Sequence, residues 1–485
     1  MDPQIELFDP SAVSDALGAA WCVQNDAASR RAQGITLTPP WLVERMLDEV
    51  IDTPYDTNVD CGAGTGRFAM AAAPRFPEAR IVAIEQSAEL IVLLRQGLRE
   101  SGLAGRVEVI EGDFRDVPIP RTGRTLYLGN PPYVRHHDIG ARWKAWYGDE
   151  MARFGIEPSR LAGLHVHFMA RAAALMHPGD GLCFVTSAEW LDNGYGRAAR
   201  QLFAGSAGFA TTGLWVADPA EPVFDDALVS SVVLRVVCGG AQDDVAAGLI
   251  GERALQTLRH VSPAELQSSD HWSSWCRPVL ALPVQGIEVG ELFRVTRGQV
   301  TGLNAAWVLD PQATDLPREL TVAAVTRAKE LIDGVPLSRA AVGALKRVAD
   351  LPADLDAVPD AHRDSVDRFL SRARAMGADQ SYIARHRTPW HAVKMRAPPA
   401  AFVSYMGRRP PVFCANPWGA SFINIAHGLY PRQAMSASLL DRVLHHLNTT
   451  TDAHSARVYG GGMSKFEPGD VARLRIPPGV LELAA

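Results

Sequence analysis

Lysine is scarce. The chain of 485 residues holds five, and none has Asp or Glu two positions before it. The acid, spacer, lysine pattern of the common nuclease site is therefore missing. About 30 residues precede the first motif, too few for a nuclease domain. Strand cleavage by this chain is not expected. The six cysteines (Cys22, Cys61, Cys183, Cys238, Cys276, Cys414) form no C-x-x-C pair, and His and Cys do not cluster. That argues against a disulfide framework and a zinc site, and no metal is expected. No apolar run reaches the roughly 18–20 residues that span a bilayer. Met1–Glu6 is acidic and lacks a signal-peptide pattern. A cytoplasmic protein without a membrane partner is the expectation. Internal repeats and low-complexity tracts are missing as well.

Acids are missing from one long stretch. Between Asp379 and Asp441 there is none, while Arg385, Arg387, Lys394, Arg396, Arg408, Arg409 and Arg432 interleave with aromatics. The net charge of −6 hides this, because residues 1–280 carry about −11 and residues 281–485 about +5. One reading is an ordinary mixed surface over an aromatic core. The other, favoured by so complete a gap, is a basic face for phosphates.

The length fits two or three domains. Between Pro54 and Val237 short apolar stretches alternate with helical ones. Thr57–Cys61, Arg80–Ile84, Arg106–Glu111, Thr125–Gly129, Gly181–Thr186, Gly213–Val216 and Val229–Val237 read as strands. This rhythm predicts an α/β fold with a mostly parallel sheet covered on both faces. Such sheets bind ligands at the carboxyl ends of their strands. The expected division is a helical extension at 1–30, a catalytic domain at 31–240, a connection at 241–284 and a mixed α+β domain at 285–485. In the last, Arg318–Leu331 and Ser338–Ala349 read as amphipathic helices, and a further helix lies near His362–Met376.

Val59-Asp60-Cys61-Gly62-Ala63-Gly64-Thr65-Gly66 is a strand end followed by a glycine-rich loop entering a helix. Glycines let the backbone turn sharply and approach a ligand. Alone, such a loop also fits dinucleotide binders. Glu85 ends the next strand, where an acid can take both ribose hydroxyls of a nucleoside. Asp113 ends the third, where it can accept from an adenine amine while Phe114 covers the ring.

Gly129-Asn130-Pro131-Pro132-Tyr133 follows the fourth strand and is the most specific string in the chain. The amino nitrogen of adenine is a poor nucleophile, because its lone pair is delocalised into the ring. The Asn130 side-chain oxygen and the Pro131 carbonyl can each accept one N–H and localise that pair. The prolines fix the loop so that both acceptors converge. Tyr133 offers a ring on which a base can stack. A methyl group on a sulfonium needs neither metal nor strong base.

These strings resemble the amino-methyltransferases of bacterial restriction-modification systems, specifically the γ-ordered, TaqI-like N6-adenine enzymes, over most of residues 30–480. The resemblance implies a class I, Rossmann-like S-adenosylmethionine methyltransferase domain plus a C-terminal target-recognition domain. It implies site-specific methylation of adenine N6 in double-stranded DNA after the base is flipped. A cognate restriction endonuclease would be a separate chain, and a monomer is the default. Thr38-Pro39 matches the family segment that helps hold the cofactor. Asp60, Gly62, Gly64, Gly66, Glu85, Asp113, Phe114 and Asn130 match its cofactor motifs, and Asn130–Tyr133 its catalytic tetrad. Phe224 matches the second ring around the flipped base, the competing reading being a core residue. Candidate DNA contacts are Arg135, Arg297, Thr301, Asn304, Arg387, Trp390, Lys394, Arg408, Arg409 and Lys465. Asp60 opens a fuller glycine loop than close members carry, which loosens the subgroup assignment. Rivals are transfer to a release-factor glutamine, transfer to ribosomal RNA adenine, and a non-catalytic DNA-binding subunit. The basic mass behind the cofactor fold disfavours the first two, and the intact motifs the third.

Overall fold

Strands β1 (Thr57–Cys61), β2 (Arg80–Glu85), β3 (Val107–Glu111), β4 (Thr125–Gly129), β5 (Gly181–Ser187), β6 (Phe209–Ala217) and β7 (Ser231–Cys238) form where the apolar stretches predict them. β1, β4 and β5 are buried along their whole length. This is why their sequences run apolar instead of alternating. The computed structural model describes residues 10–26, 29–30, 34–205, 207–218, 223–224, 230–240, 243–251, 253–277, 286–312, 315–331, 337–407, 410–451, 457–459 and 463–482. The chain divides into two compact units, one of residues 1–279 with 459–462 and the other of residues 280–458 with 463–485.

In the first unit the strand order is β3-β2-β1-β4-β5-β7-β6, continued by β8 (Val245–Gly251) and β9 (Ala254–Val261). The β3-to-β5 half is parallel, and β7 runs antiparallel to both neighbours. Successive residues point to opposite faces. Val59, Cys61, Ile84 and Tyr127 feed one core, while Ile81, Ala83, Leu126 and Leu128 feed the other. The chain reverses direction across the sheet between β1 and β4, the switch point at which ligands of open α/β sheets bind. Helix Pro10–Gln24 lies within the stretch expected to be helical. Residues 241–284, expected to be a connection with some structure, supply β8 and β9. Val-Ala-Ala-Gly has little strand propensity of its own, and its pairing with β6 and β9 supplies the order.

The second unit holds a four-stranded antiparallel sheet of Phe293–Arg297, Ala426–Pro431, Ala401–Ser404 and Phe413–Ala415. A second sheet joins Val308–Leu309, Arg347–Ala349, Thr321–Val325 and Ser421–Phe422. This overturns the helix expected over Arg318–Leu331. The β-branched Thr321, Val322 and Val325 pair with Arg347–Ala349 on one side and Ser421–Phe422 on the other. The helix expected over Ser338–Ala349 stops at Ala344, because Arg347–Ala349 joins that sheet. Helix Asp360–Ala375 does form, burying Val366, Phe369, Leu370 and Ala373 along one stripe.

Candidate active site

The loop after β1 turns on three glycines with positive φ: Gly62 (103°), Gly64 (57°) and Gly66 (91°). At Gly66 a Cβ would stand 2.4 Å from Leu94 Cδ1, so both φ and space demand glycine. Helix Arg67–Arg75 starts there. Asp60 sits beneath this turn, 2% exposed. Its Oδ2 accepts from the Ala69 N–H at 3.1 Å, while Oδ1 has no partner among the described residues. Burial pushes its carboxyl up to about 7.

Glu85 is held by three backbone N–H groups. Gly64 donates to Oε2 at 2.8 Å, and Gln86 and Ser87 donate to Oε1 at 2.9 and 2.8 Å. The loop and the end of β2 are thus one piece. Asp113 takes a two-pronged contact from Arg115, Nε to Oδ1 at 2.9 Å and Nη2 to Oδ2 at 2.5 Å. The Arg115 guanidinium also lies 3.8 Å over the Trp143 ring. Phe114 packs on Phe168, ring centroids 5.2 Å apart. A cavity of about 310 Å³ opens at these strand ends. Among its walls are Thr38, Gly62, Gly64, Glu85, Asp113, Phe114, Asn130 and Pro132. Thr36, Arg67, Ser87 and Phe168 also line it. Ser87 caps helix Ala88–Glu100 and Arg67 opens the helix after the glycine loop, local signals that point to both, but nothing local marks Phe168.

Several expected site residues stand elsewhere. Asp60 and Gly66 shape the loop from below and behind, and Pro39 precedes helix Pro40–Asp48. Pro131 and Tyr133 do not line this cavity. Phe224 belongs to the core: it is 5% exposed and clusters with Trp215, Val233 and Ile250. The expected ring opposite Tyr133 is therefore packed inside the fold, where apolar burial holds it.

The tetrad is tied to the segment before the first helix of the sheet. Asn130 Nδ2 donates to the Thr36 carbonyl at 2.9 Å, and the Tyr133 N–H donates to the Gly34 carbonyl at 3.0 Å. Asn130 Oδ1 is buried without a partner among the described residues. The Tyr133 hydroxyl faces Ser231, and burial raises its pKa well above the ordinary phenol value, an effect that Ser231 partly offsets.

The candidate DNA contacts are less free than their charges imply. Arg297 and Lys465 share Glu467, at 2.5 and 2.6 Å, and both lie over the Tyr405 ring. Thr301 is 1% exposed and donates to Asn304 Oδ1 at 2.6 Å, closing its own loop. Arg387 donates to the Val300 carbonyl at 2.7 Å. Trp390 packs edge-on to Trp307. Arg135 and Lys394 are exposed, while Arg408 and Arg409 lie outside the described residues. Within the second unit Arg297, Gln299, His386, Arg387 and Arg396 line a basic recess of about 370 Å³.

Residues 284–485 match the family described as Type II methyltransferase M.Eco57I, C-terminal domain. Residues 126–209 match Eco57I restriction-modification methylase, and residues 59–137 match a general methyltransferase domain. The chain is 43% identical over 425 residues to Type II methyltransferase M.XamI of Xanthomonas campestris pv. amaranthicola, covering 86% of this chain and 80% of that one. A release factor glutamine methyltransferase of Moorella thermoacetica is 32% identical over 93 residues, 19% of this chain and 32% of that one. Among solved structures, the Type IIL restriction-modification enzyme MmeI in complex with DNA superposes with a TM-score of 0.59 at 11% identity. It covers 96% of this chain and 71% of that one, a likeness of fold. With a relative of such identity along most of its length, this chain belongs to the Type II methyltransferases of restriction-modification systems, which are S-adenosylmethionine-dependent enzymes.

Proposed function

We propose that the chain methylates the N6 amine of adenine at a specific site in double-stranded DNA, on a base rotated out of the stack. The observation that carries this reading is Asn130. Its amide is committed to Thr36, which fixes the side chain and leaves Oδ1 as a buried acceptor with no partner among the described residues. An unfilled acceptor beside a rigid Pro-Pro turn suits an incoming N–H.

The cavity fits the cofactor. The Gly62–Gly66 loop admits close backbone approach, the fixed Glu85 carboxylate faces ribose hydroxyls, and Asp113 with Phe114 receives the adenine. Thr38 and its neighbours form the opposite wall. Glu85 Oε2 and Asp113 Oδ2 each accept one bond and keep a lone pair, while Glu85 Oε1 and Asp113 Oδ1 each already accept two. When bound, S-adenosylmethionine supplies an already activated methyl group. Asn130 Oδ1 and the Pro131 carbonyl hold the two N–H bonds of the target amine and localise its lone pair, and Tyr133 supports the base by stacking. The second unit binds the duplex, its recess of arginines taking phosphates or base edges. The Moorella release-factor enzyme matches 19% of the chain, whereas the M.XamI match covers 86% and so must extend into the basic half, which supports a DNA substrate.

The test is methyl transfer from labelled S-adenosylmethionine to unmethylated bacterial DNA, followed by nucleoside digestion and long-read mapping. N6-methyladenine at one short motif is expected. Label in cytosine, RNA or protein would overturn the reading. DNA affinity should also fall steeply with added salt; a flat response would remove the role of the basic unit.

A further inference from the structure

We propose that His165 is a further residue of the target-base pocket, donating its ring N–H to a ring nitrogen of the rotated base. The proposal rests on the adenine reading above. His165 sits in the first turn of helix Leu164–Leu175. That turn is pinned to the catalytic loop, because the Leu164 N–H donates to the Val134 carbonyl at 3.0 Å. The imidazole is 5% exposed and lies edge-on to Tyr133 of the tetrad, centroids 6.3 Å apart, with Tyr195 on another side at 6.4 Å. Neither ring nitrogen has a hydrogen-bond partner among the described residues. A buried imidazole with both nitrogens unmet is costly, and such orphans mark places where a ligand completes the network.

His165 is not an isolated orphan. Asn130 Oδ1 is also buried and unpartnered among the described residues, and the buried Tyr133 and Ser231 hydroxyls have no partner there but each other. Asn130 and Tyr133 follow β4, and Ser231 opens β7 beside Ser187 at the end of β5. All of them therefore belong to the carboxyl edge of the parallel strands. Yet Tyr133, His165 and Ser231 do not line the cofactor cavity. A second set of polar groups with unused hydrogen-bonding capacity thus adjoins the tetrad, outside the cofactor's walls. The neighbouring His167 also has one ring nitrogen, Nδ1, without a partner among the described residues, but its ring is stacked face to face on Tyr147 at 4.4 Å. Burial lowers the His165 pKa to about 4, so the ring is neutral and carries one N–H donor and one acceptor. A purine whose amine is taken by Asn130 and Pro131 still presents ring nitrogens that accept hydrogen bonds. The His165 N–H meets that need.

The test uses the full-length enzyme and duplexes carrying the mapped motif, with the target adenine replaced by 1-deaza-, 3-deaza- or 7-deazaadenine. For the wild type, one replacement should cost about 10- to 100-fold in kcat/KM for DNA. His165→Phe should lose a similar factor on adenine, become insensitive to that one replacement, and keep its KM for S-adenosylmethionine within about twofold. His165→Gln, which restores a donor, should recover part of the loss and serves if the Phe variant does not fold. Equal sensitivity of wild type and variants to all three analogues would overturn the role of His165. Wild-type activity that never labels adenine would overturn both this role and the function on which it rests.

Discussion

Replacing Asn130 with Ala separates the two jobs of the tetrad. The side chain makes one bond that is structural, Nδ2 to the Thr36 carbonyl, and leaves one acceptor unfilled, Oδ1. Losing the first costs about 1 kcal/mol, which lowers Tm by about 2–4 °C in a unit of this size. Losing the second removes an interaction made fully only as the amine reorganises. Removal of a comparable preorganised polar group costs on the order of 10²–10³ in rate. The cofactor should be little affected, because Thr36 touches the cavity through a segment also held by Tyr133 N–H and Gly34. Its Kd is expected to stay within about fivefold.

The assay is single-turnover transfer of tritiated methyl at saturating DNA, with calorimetric cofactor binding and thermal melting on the same preparation. A rate within tenfold of wild type would refute the acceptor role. A folded variant with cofactor affinity down by more than about fiftyfold would place Asn130 in cofactor binding instead. Asn130→Asp keeps the shape but sets a second oxygen against the Thr36 carbonyl. It should lose as much rate as Ala and melt lower.

Asp60 should make stability pH-dependent. Its folded pKa, about 7, is raised above an unfolded value of about 4, so its contribution is intact below pH 4 and is lost as pH rises through 7. Asp60→Asn keeps an acceptor for Ala69 and escapes that loss. Its stability advantage over wild type should grow between about pH 4 and 7, to a few kcal/mol at most, and level off above 7, and a constant difference across that range would show that the carboxyl is not raised. Arg115→Ala frees Asp113 from its two-pronged contact and should raise KM for S-adenosylmethionine about tenfold with kcat within about threefold; an equal fall in kcat would refute a positioning role. Glu467→Gln releases Arg297 and Lys465. DNA affinity at low salt should rise and the log–log salt slope should steepen by about one to two, whereas an unchanged slope would put those cations away from phosphates.

What was legible in the sequence is what depends on neighbours in the chain. The sheet could be read because strands buried on both faces must be continuously apolar, as in Leu-Cys-Phe-Val-Thr of β5. The tetrad could be read because its acceptors converge through consecutive residues. Long-range pairing hid the rest. Val245–Gly251 becomes a strand through its partners and not through its residues. Asp60 and Glu85 look alike, each an acid at or near a strand end. Three loop N–H groups hold Glu85 at the cavity wall, while the Ala69 N–H holds Asp60 beneath the loop. The basic count of the second unit overstated its free charge, because Glu467 neutralises Arg297 across 170 positions of chain. A charge tally treats each side chain as solvated, whereas a fold lets one acid serve two cations. The same holds for His165. One histidine on an apolar helix is ordinarily a satisfied core residue, and only the three-dimensional inventory of its partners reveals that it has none among the described residues.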